Sequence, residues 1–295
     1  AERKIPAVGF YTGAGLLRPG VGDILNFRAS YAQEIAAVID ATLRAGVKPD
    51  QVCAFVQNDS FGMAGVTGII MALGKQPGAA EIVAKLEQVL AIPDESLQRN
   101  NIGPVGVYQR NTVLVRDGYN SLKQWEKTVG DRCRLVVTVG VYEPIAHFMA
   151  YARKLKQEPW IISAVSFTGA ESLQGEFRKF DLREDIIMTQ VVPALDSPLP
   201  IVENARKALG DNLGYISLEG YIVGRMFLAI LDKAGDPPTP ESFVGAARGQ
   251  QYDLDGLKLD FSDDNQGSDF VLLTLLSDDD FAVIEPRDLE NMFAQ

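Results

Sequence analysis

The sequence is poor in the residues on which many enzymes and metalloproteins depend. Its 295 residues contain one histidine, His147, and two cysteines. A lone histidine gives no metal site and no nucleophile–base triad, so no catalytic or metal-binding residue is predicted. Cys53 and Cys133 lie in or beside apolar runs. That setting favours two buried free thiols, although a pair of cysteines also permits one disulfide.

Long apolar runs and an excess of basic residues are absent too. The longest strongly apolar helical stretch, Tyr221 to Leu231, contains Arg225 and is far shorter than the roughly 20 residues that span a bilayer. With 28 basic and 39 acidic residues the net charge is -11, so nucleic acids and anionic membrane surfaces would repel the chain. Small molecules or proteins are the expected partners.

The segment GFYTGAG is the one glycine-rich turn that invites a cofactor interpretation. It lacks the Gly-Lys-Ser/Thr of a phosphate-binding loop and the glycine spacing of a dinucleotide fingerprint. No cofactor is therefore predicted.

Apolar, strand-like runs alternate with helical patterns along most of the chain, which predicts an α/β fold with parallel strands. The strand-like runs are Ile5 to Tyr11, Val52 to Val56, Val105 to Val115, Leu135 to Val141, Trp160 to Val165 and Ile186 to Val192. Residues 74–104 are interpreted as a surface insertion. After Pro193 three helices are predicted near 200–209, 217–234 and 240–248, followed by strands that would form a small antiparallel meander.

The stretch QVCAFVQNDSFG predicts a buried strand, a polar turn and the start of a helix. Asp59 is a helix-capping residue type placed directly before the periodic segment that begins at Phe61. In open α/β sheets such a turn lies at the carboxyl end of a strand, where ligands bind. Asn58 and Phe61 are therefore candidate ligand contacts, although a turn and a helix cap alone would also explain Asn58 and Asp59.

Several segments in this order resemble the type I periplasmic binding proteins, the group of ABC-transporter receptors typified by branched-chain amino-acid binding proteins. They are IPAVGFYTGAGLLR, FRASYAQE, QNDSFG, VGVYEPIAHFMAYAR, VSFTGAESL, SLEGY and DGLKLDFSDDNQGS. The resemblance implies two doubly wound lobes joined by hinge crossovers that close on a ligand. It also implies that the first β-α units of the N-terminal lobe are lacking, so that a dimer mate or a partner segment would cover the incomplete lobe.

The resemblance implies a division into 1–28 with 194–258 as lobe one, and 29–193 with 259–295 as lobe two. The crossovers would fall near Phe27 to Ala29, Val192 to Ala194 and Leu257 to Asp260. No export signal is visible in AERKIP, so a periplasmic or other extracytoplasmic location would depend on a signal outside this sequence.

The resemblance also implies ligand-binding residues in an interlobe cleft. The segment Tyr11-Thr12-Gly13 matches the loop that holds a ligand carboxylate, and Phe61 and Tyr142 match two aromatic positions. Ser166 matches a position that is glutamate in amino-acid binders. Because a neutral serine cannot supply a charge-assisted bond to an ammonium group, the ligand is expected to lack an α-amino group.

Three functions are compatible with these residues. The first is a solute-binding protein that captures a small apolar or aromatic ligand, with a carboxylate or hydroxyl, by hinge closure and delivers it to an ABC permease. The second is the extracytoplasmic sensing domain of a signalling receptor. The third, an α/β hydrolase or transferase, would need a nucleophile and a base that the sequence does not supply, so no enzyme activity is predicted.

Overall fold

A computed structural model describes residues 5–18, 23–94, 96–182, 186–277 and 280–294. Residues 1–4, in which the sequence shows no export signal, lie outside these ranges. The chain divides into two compact units: Ala1–Ser30 with Gln190–Leu272, called unit 1, and Tyr31–Thr189 with Leu273–Gln295, called unit 2. No helix in the described ranges is long and apolar enough to cross a membrane.

Helices and strands alternate as the sequence predicts. The helices of the described residues are α1 (Tyr31–Arg44), α2 (Ser60–Leu73), α3 (Ala80–Ala91), α4 (Arg116–Val129), α5 (Tyr142–Ala150), α6 (Ala170–Phe180), α7 (Pro200–Leu209), α8 (Tyr215–Lys233), α9 (Pro240–Ala247) and α10 (Pro286–Phe293). The strands are β1 (Ala7–Val8), β2 (Ile24–Leu25), β3 (Val52–Gln57), β4 (Val105–Tyr108), β5 (Leu135–Val139), β6 (Ile161–Ala164), β7 (Ile186–Gln190), β8 (Gln251–Leu254), β9 (Leu257–Asp260), β10 (Leu272–Ser277) and β11 (Asp280–Val283).

Unit 2 is built on a seven-stranded sheet with the order β11-β10-β7-β6-β5-β3-β4. Strands β4, β3, β5, β6 and β7 pair in parallel, and β10 pairs with β11 in antiparallel fashion. All residues of β3, β4, β5, β6 and β7 are buried. This burial explains the near-continuous apolar runs, because parallel strands are covered by helices on both faces.

Unit 1 has a smaller described framework. β1 and β2 pair in parallel, and β8 and β9 form an antiparallel hairpin whose turn residues, Asp255 and Gly256, both have positive φ. Gly9 also has a positive φ of 63°, and a Cβ there would meet Val223 of α8 at 2.2 Å. The close approach of β1's end to α8 therefore requires glycine at position 9.

Helix α8 is less buried than its apolar composition predicts. Ile222, Met226 and Ile230 are buried, whereas Phe227 and Leu228 are 41% and 53% exposed. The helix also begins at Tyr215, two residues before the predicted start near 217, and the Ser217 hydroxyl accepts a hydrogen bond from the backbone N–H of Gly214. Ser217 therefore caps the helix from inside its first turn.

Two predicted segments differ in the structure. The strand predicted over Val105 to Val115 ends at Tyr108, because Asn111 has a φ of 61° and the Thr112 hydroxyl donates to the Gln109 carbonyl, forming a turn. The segment 74–104, predicted as a surface insertion with a short helical pattern at Ile82, Leu86, Val89 and Leu90, does contain a helix, α3, and the difference is that Ile82, Leu86 and Val89 are buried in unit 2.

The C-terminal strands form two hairpins in different sheets and not one continuous meander. The hairpin β8–β9 belongs to unit 1, and the hairpin β10–β11 extends the edge of the large sheet of unit 2. The segment between them stays with unit 1, since the backbone of Asn26 is hydrogen-bonded to Asn265 and Gly267. The passage back into unit 2 therefore falls at Leu272/Leu273, and not at the crossover predicted near Leu257 to Asp260.

The expectation of two free thiols is wrong. Cys53 and Cys133 form a disulfide with a Cα–Cα distance of 5.8 Å, inside the usual range for such bridges. The two residues are 80 positions apart in sequence. The sheet brings them together because β3, which contains Cys53, is the direct neighbour of β5, which starts two residues after Cys133.

Candidate functional site

The sheet of unit 2 contains a position where the chain changes direction. From β3 the chain passes to β4 on one side, and it then returns to β5 on the other side before continuing to β6 and β7. In open α/β sheets, ligands bind outside the carboxyl ends of the strands at such a switch point. The switch point here lies between β3 and β5, which are followed by the turns containing Phe61 and Tyr142.

The turn after β3 is fixed by a helix cap and by a glycine. Asp59 accepts hydrogen bonds on Oδ1 from the backbone N–H groups of Phe61 and Gly62, at 3.1 and 3.3 Å. Its Oδ2 accepts from Gln57 at 2.7 Å. A Cβ at Gly62 would lie 1.9 Å from the Gln57 carbonyl oxygen, so only glycine lets α2 start this close to the end of β3.

Asn58 is fully buried, and both of its side-chain polar atoms are hydrogen-bonded inside unit 2. Its Nδ2 donates to the Ser96 carbonyl, and its Oδ1 accepts from Arg99, each at 3.1 Å. Arg99 is 2% exposed and also donates to Asp94 at 2.9 Å. Asn58 thus connects the end of β3 to the segment after α3.

Phe61 belongs to a cluster of three aromatic rings in unit 2. Its ring centroid lies 5.0 Å from that of Tyr31 and 5.2 Å from that of Phe167. Tyr31 is buried at the start of α1, whereas Phe61 and Phe167 are half-buried in the turns after β3 and β6. Tilted and edge-to-face contacts of this kind hold aromatic rings in fixed orientations. The cluster therefore presents two partly exposed rings at the carboxyl edge of the sheet.

Tyr142 is the first residue of α5 and is 44% exposed. The segment before it is held by the Thr168 hydroxyl, which donates to the Gly140 carbonyl at 3.0 Å. On the neighbouring strands, the Tyr108 hydroxyl at the end of β4 donates to the Gln57 side-chain oxygen at the end of β3, at 3.2 Å. Burial raises the pKa of Tyr108 well above its usual range, and a hydrogen bond with the backbone of Val141 partly opposes this shift. Its neutral hydroxyl links the carboxyl ends of three neighbouring strands.

Ser166 lies at the end of β6, and a carboxylate lies beside it. The backbone N–H of Ser166 donates to Glu34 Oε2 at 2.8 Å and to Thr189 Oγ1 at 3.1 Å. The Thr189 hydroxyl in turn donates to the same Glu34 oxygen. Glu34 is fully buried. Although the side chain at 166 is neutral, this part of unit 2 therefore contains a carboxyl group from α1.

Tyr11, Thr12 and Gly13 lie in the loop after β1 in unit 1. The Tyr11 ring packs over the Arg28 guanidinium at 5.2 Å, and Arg28 forms a buried ion pair with Glu219 at 3.3 Å. The Thr12 hydroxyl oxygen accepts from the backbone N–H of Ala14 at 3.3 Å, and Gly13 is buried. Tyr11 itself is 36% exposed, so its ring has one covered face and one accessible part.

Three residues of this region could not be singled out from the turns alone: Tyr31, Glu34 and Phe167. The sequence contains a signal for Glu34, because it lies three residues after Tyr31 and four residues before Val38 in helix α1, and both of these residues are buried. A carboxylate on the buried face of an amphipathic helix needs hydrogen-bonding partners, and such a residue is worth inspecting as a candidate site residue.

No group of three or more potential metal ligands occurs in the described ranges. His147, predicted to give no metal site, packs edge-on against Phe180 with ring centroids 5.0 Å apart. The polar atoms at the carboxyl edge include hydroxyl, amide and backbone groups together with the carboxyl groups of Asp59 and Glu34. They can orient a small organic ligand by hydrogen bonds.

The flavodoxin-like strand order of unit 2 and the residues at its switch point are those of a ligand-binding α/β protein. Among solved structures, one of a possible leucine/isoleucine/valine-binding protein from Rhodopirellula baltica shares 32% sequence identity, covering 98% of this chain and 73% of that chain with a TM-score of 0.78. The chain belongs to the type I periplasmic binding protein family, in its branched-chain amino-acid-binding-like group.

More distant structures share the fold. A branched-chain amino-acid ABC transporter protein from Thermus thermophilus with bound valine is 15% identical, with 96% of this chain and 72% of that chain covered and a TM-score of 0.64. A solute-binding protein from R. palustris in complex with 4-hydroxybenzoate is 14% identical, with the same coverage and a TM-score of 0.63. No protein-family model and no curated protein matches the sequence.

Proposed function

We propose that this protein is a solute-binding protein that works outside the cytoplasm, binds a small organic ligand and delivers it to an ABC permease. The observation that carries the proposal is the pair of partly exposed aromatic residues, Phe61 and Tyr142, on the two sides of the switch point of unit 2. The family supports it, since similar proteins are solute-binding proteins and not enzymes. Hinge closure around the ligand stays a prediction.

We assign Phe61, Tyr142 and Tyr11 to the apolar part of the ligand, because each ring has accessible surface and because Phe61 and Tyr11 are also held by neighbouring side chains. Thr12, Gly13 and Ser166 would hold a carboxylate or hydroxyl group, and Asn58 would orient the turn beside them. The similar structures contain a zwitterionic amino acid in one case and an aromatic acid in another. The neutral side chain of Ser166 favours a ligand without an α-amino group, whereas the nearby Glu34 carboxyl could accept one.

Calorimetry with two matched ligand sets tests this choice. Leucine, isoleucine and valine form the first set, and benzoate with 4-hydroxybenzoate forms the second. We expect saturable binding of an aromatic acid, because two ring faces at the switch point can pack against a flat apolar body. Binding confined to the amino acids would contradict the ligand class. Binding of neither set, in a folded protein, would argue against the solutes named here.

The variants Phe61→Ala and Tyr142→Ala test the position of the site. Each removes aromatic contact area, so the dissociation constant is expected to rise by roughly tenfold or more. The matched control is Phe227→Ala, which truncates a ring of similar exposure, 41% against 44% for Tyr142, in helix α8. An unchanged affinity in both test variants would place the ligand elsewhere.

The sensing domain of a signalling receptor is the second candidate, since some structures with this fold are described as extracellular ligand-binding receptors. Deletion of the gene separates the two. Loss of uptake of the labelled ligand supports transport, whereas loss of a transcriptional response with unchanged uptake supports sensing. Conversion of the bound ligand to a product would instead revive the hydrolase or transferase interpretation.

A further inference from the structure

A crevice lies at the carboxyl edge of the sheet of unit 2, outside the end of β3. Its volume is about 650 Å³, whereas a cavity of roughly 150 Å³ is enough to hold a benzene ring. One wall is the loop that follows β4, and the other is the start of α5, which follows β5. Because β3 lies between β4 and β5 in the sheet, the crevice falls at the switch point, where open α/β sheets bind ligands. Its lining residues are Asn111, Thr112, Val113, Leu114, Val141, Glu143 and Pro144.

Three aliphatic side chains on these walls are exposed to solvent. Val113 is 39%, Leu114 is 70% and Val141 is 37% exposed. Single exposed apolar side chains are common on protein surfaces, but a group of them around one concave site marks an interaction surface. None of the described residues that line the crevice is basic, and Glu143 is acidic, so a carboxylate would find no ion-pair partner among them. The crevice therefore suits an uncharged, apolar group.

The wall that follows β4 has a conformation fixed by its own hydrogen bonds. Both the backbone N–H and the hydroxyl of Thr112 donate to the Gln109 carbonyl, at 3.2 and 2.7 Å. Asn111 has a φ of 61°, a left-handed conformation that asparagine adopts more readily than most residues. This closed turn sets the direction in which the chain continues to Val113 and Leu114. A preformed apolar wall loses less conformational entropy on binding than a mobile loop does.

The other wall connects the crevice to the proposed solute site. Tyr142, which we assign to the apolar part of the solute, lies in the chain between Val141 and Glu143, two residues that line the crevice. Pro144 follows in the first turn of α5 and is buried, and its ring restricts the backbone there. A solute whose ring contacts Tyr142 therefore has the crevice directly beside it.

We propose that the crevice binds an apolar substituent of the solute, so that the preferred ligand is an aromatic acid extended by an apolar group opposite its carboxylate. The carboxylate stays with the hydroxyl and backbone groups assigned to it above, because the walls of the crevice give it no cation. Val113, Leu114 and Val141 are the residues that select for the substituent. The inference rests on the proposed function, and it adds the size of the ligand and the residues that recognise its far end.

Calorimetry of the full chain with a homologous series tests the proposal. The series is benzoate, 4-methylbenzoate, 4-ethylbenzoate, 4-propylbenzoate and 4-butylbenzoate. We expect the dissociation constant to fall roughly twofold to fourfold for each added carbon, where the larger value corresponds to complete burial of the added group. Terephthalate, which has a second carboxylate in place of the alkyl chain, is expected to bind more weakly than 4-ethylbenzoate.

Variants of Leu114 locate the substituent. Leu114→Ala removes part of the apolar wall and is expected to reduce the gain for each added carbon. Leu114→Asp places a charge on that wall and is expected to abolish the gain, because a charged side chain keeps its water and does not pack against an alkyl chain. The benzoate affinity of each variant is its own reference, and circular dichroism melting confirms that each variant is folded.

Leu155→Ala is the matched control. Leu155 is 68% exposed, against 70% for Leu114, and it lies in the helical turn after α5, outside the lining of the crevice. The gain along the series is expected to equal that of the wild type in this variant. An equal loss of the gain in Leu155→Ala and Leu114→Ala would contradict the proposal.

Two further results would overturn this inference and leave the proposed function in place. The first is binding of benzoate with no gain along the series, which would leave the exposed aliphatic side chains to a protein partner. The second is a gain that persists unchanged in Leu114→Asp, which would place the substituent elsewhere. Binding of none of these acids would overturn the inference together with the aromatic ligand class of the proposed function.

Discussion

At the scale of single residues, Asp59 and Phe61 are neighbours in the same turn with different tasks. The Asp59 carboxylate accepts from two N–H groups at the start of α2 and so satisfies donors that a helix start otherwise leaves free. It also occupies the positions that a ligand anion would use at a helix start. The Phe61 side chain extends from this capped turn into the aromatic cluster. Stability and ligand binding can therefore be altered separately here.

Replacing Asp59 with alanine removes the cap of α2. We expect the free energy of unfolding to fall by about 1 kcal/mol, as for other lost N-caps, while the affinity for the solute stays close to that of the wild type. Urea denaturation and calorimetry measure the two quantities. Asp59→Asn retains an acceptor oxygen and is the matched control. A large loss of affinity in Asp59→Ala without loss of stability would mean that Asp59 contacts the ligand directly.

Glu34 illustrates which site residues sequence reasoning can reach. Phe61 and Tyr142 could be predicted because they directly follow strand-like runs, and strand ends are where α/β proteins bind ligands. Glu34 could not be placed beside Ser166 in the same way, since the two residues are 132 positions apart and only the packing of α1 against the sheet brings them together. The carboxyl group beside a neutral serine is a property of the tertiary structure.

At the scale of elements, most strands and helices could be predicted from periodicity. Buried parallel strands give continuous apolar runs, and α7 and α9 follow the predicted ranges closely. The failures have local causes: a left-handed Asn111 ends β4 early, and the aliphatic residues around Leu114, 70% exposed, belong to a loop. Strand order across the sheet is a long-range property, and periodicity contains no information about it.

The Cys53–Cys133 disulfide joins β3 covalently to the residues directly before β5, its neighbour in the sheet. Replacing both cysteines with alanine is expected to reduce the free energy of unfolding by roughly 2 to 4 kcal/mol, because the bridge closes a long loop in the unfolded chain. Urea denaturation of the oxidised protein and of the double variant measures the difference. Titration of thiols in the denatured, unreduced protein is the control. Two reactive thiols in that titration would contradict the bridge.

At the scale of the whole molecule, two buried tyrosines make the free energy of unfolding depend on pH in the alkaline range. Burial raises the pKa of Tyr108, and burial followed by the hydrogen bond to Glu158 raises that of Tyr119. Both tyrosines thus stay neutral in the folded protein at pH values where unfolded tyrosine, with a pKa of about 10, ionises. Their contribution to stability is complete below about pH 10 and declines as the pH rises further, towards the raised pKa values.

Urea denaturation at increasing pH, with tyrosinate absorbance recorded in parallel, measures this dependence. The unfolding free energy is expected to fall above about pH 10, and two tyrosines are expected to ionise only with unfolding. In the Tyr108→Phe/Tyr119→Phe double variant the alkaline decline should be shallower. A decline of the same steepness in that variant would assign it to other groups.

The net charge of -11 describes the molecule only on average. It predicts repulsion from nucleic acids, but it does not say where charges of either sign lie close together. Composition predicts the electrostatic potential at a distance from the protein. A local excess of charge of one sign depends on which residues the fold brings together. The proposed solute site is a product of that assembly.

The bridge between Cys53 and Cys133 also bears on biosynthesis. It encloses β3, α2, α3, β4 and α4, and it ends just before β5. During export into an oxidising compartment, as proposed here, thiol oxidation becomes possible once this part of the chain has emerged and before β6 follows. The disulfide formed at that stage would hold the first parallel strands of unit 2 in register while the rest of the nascent chain is still being exported.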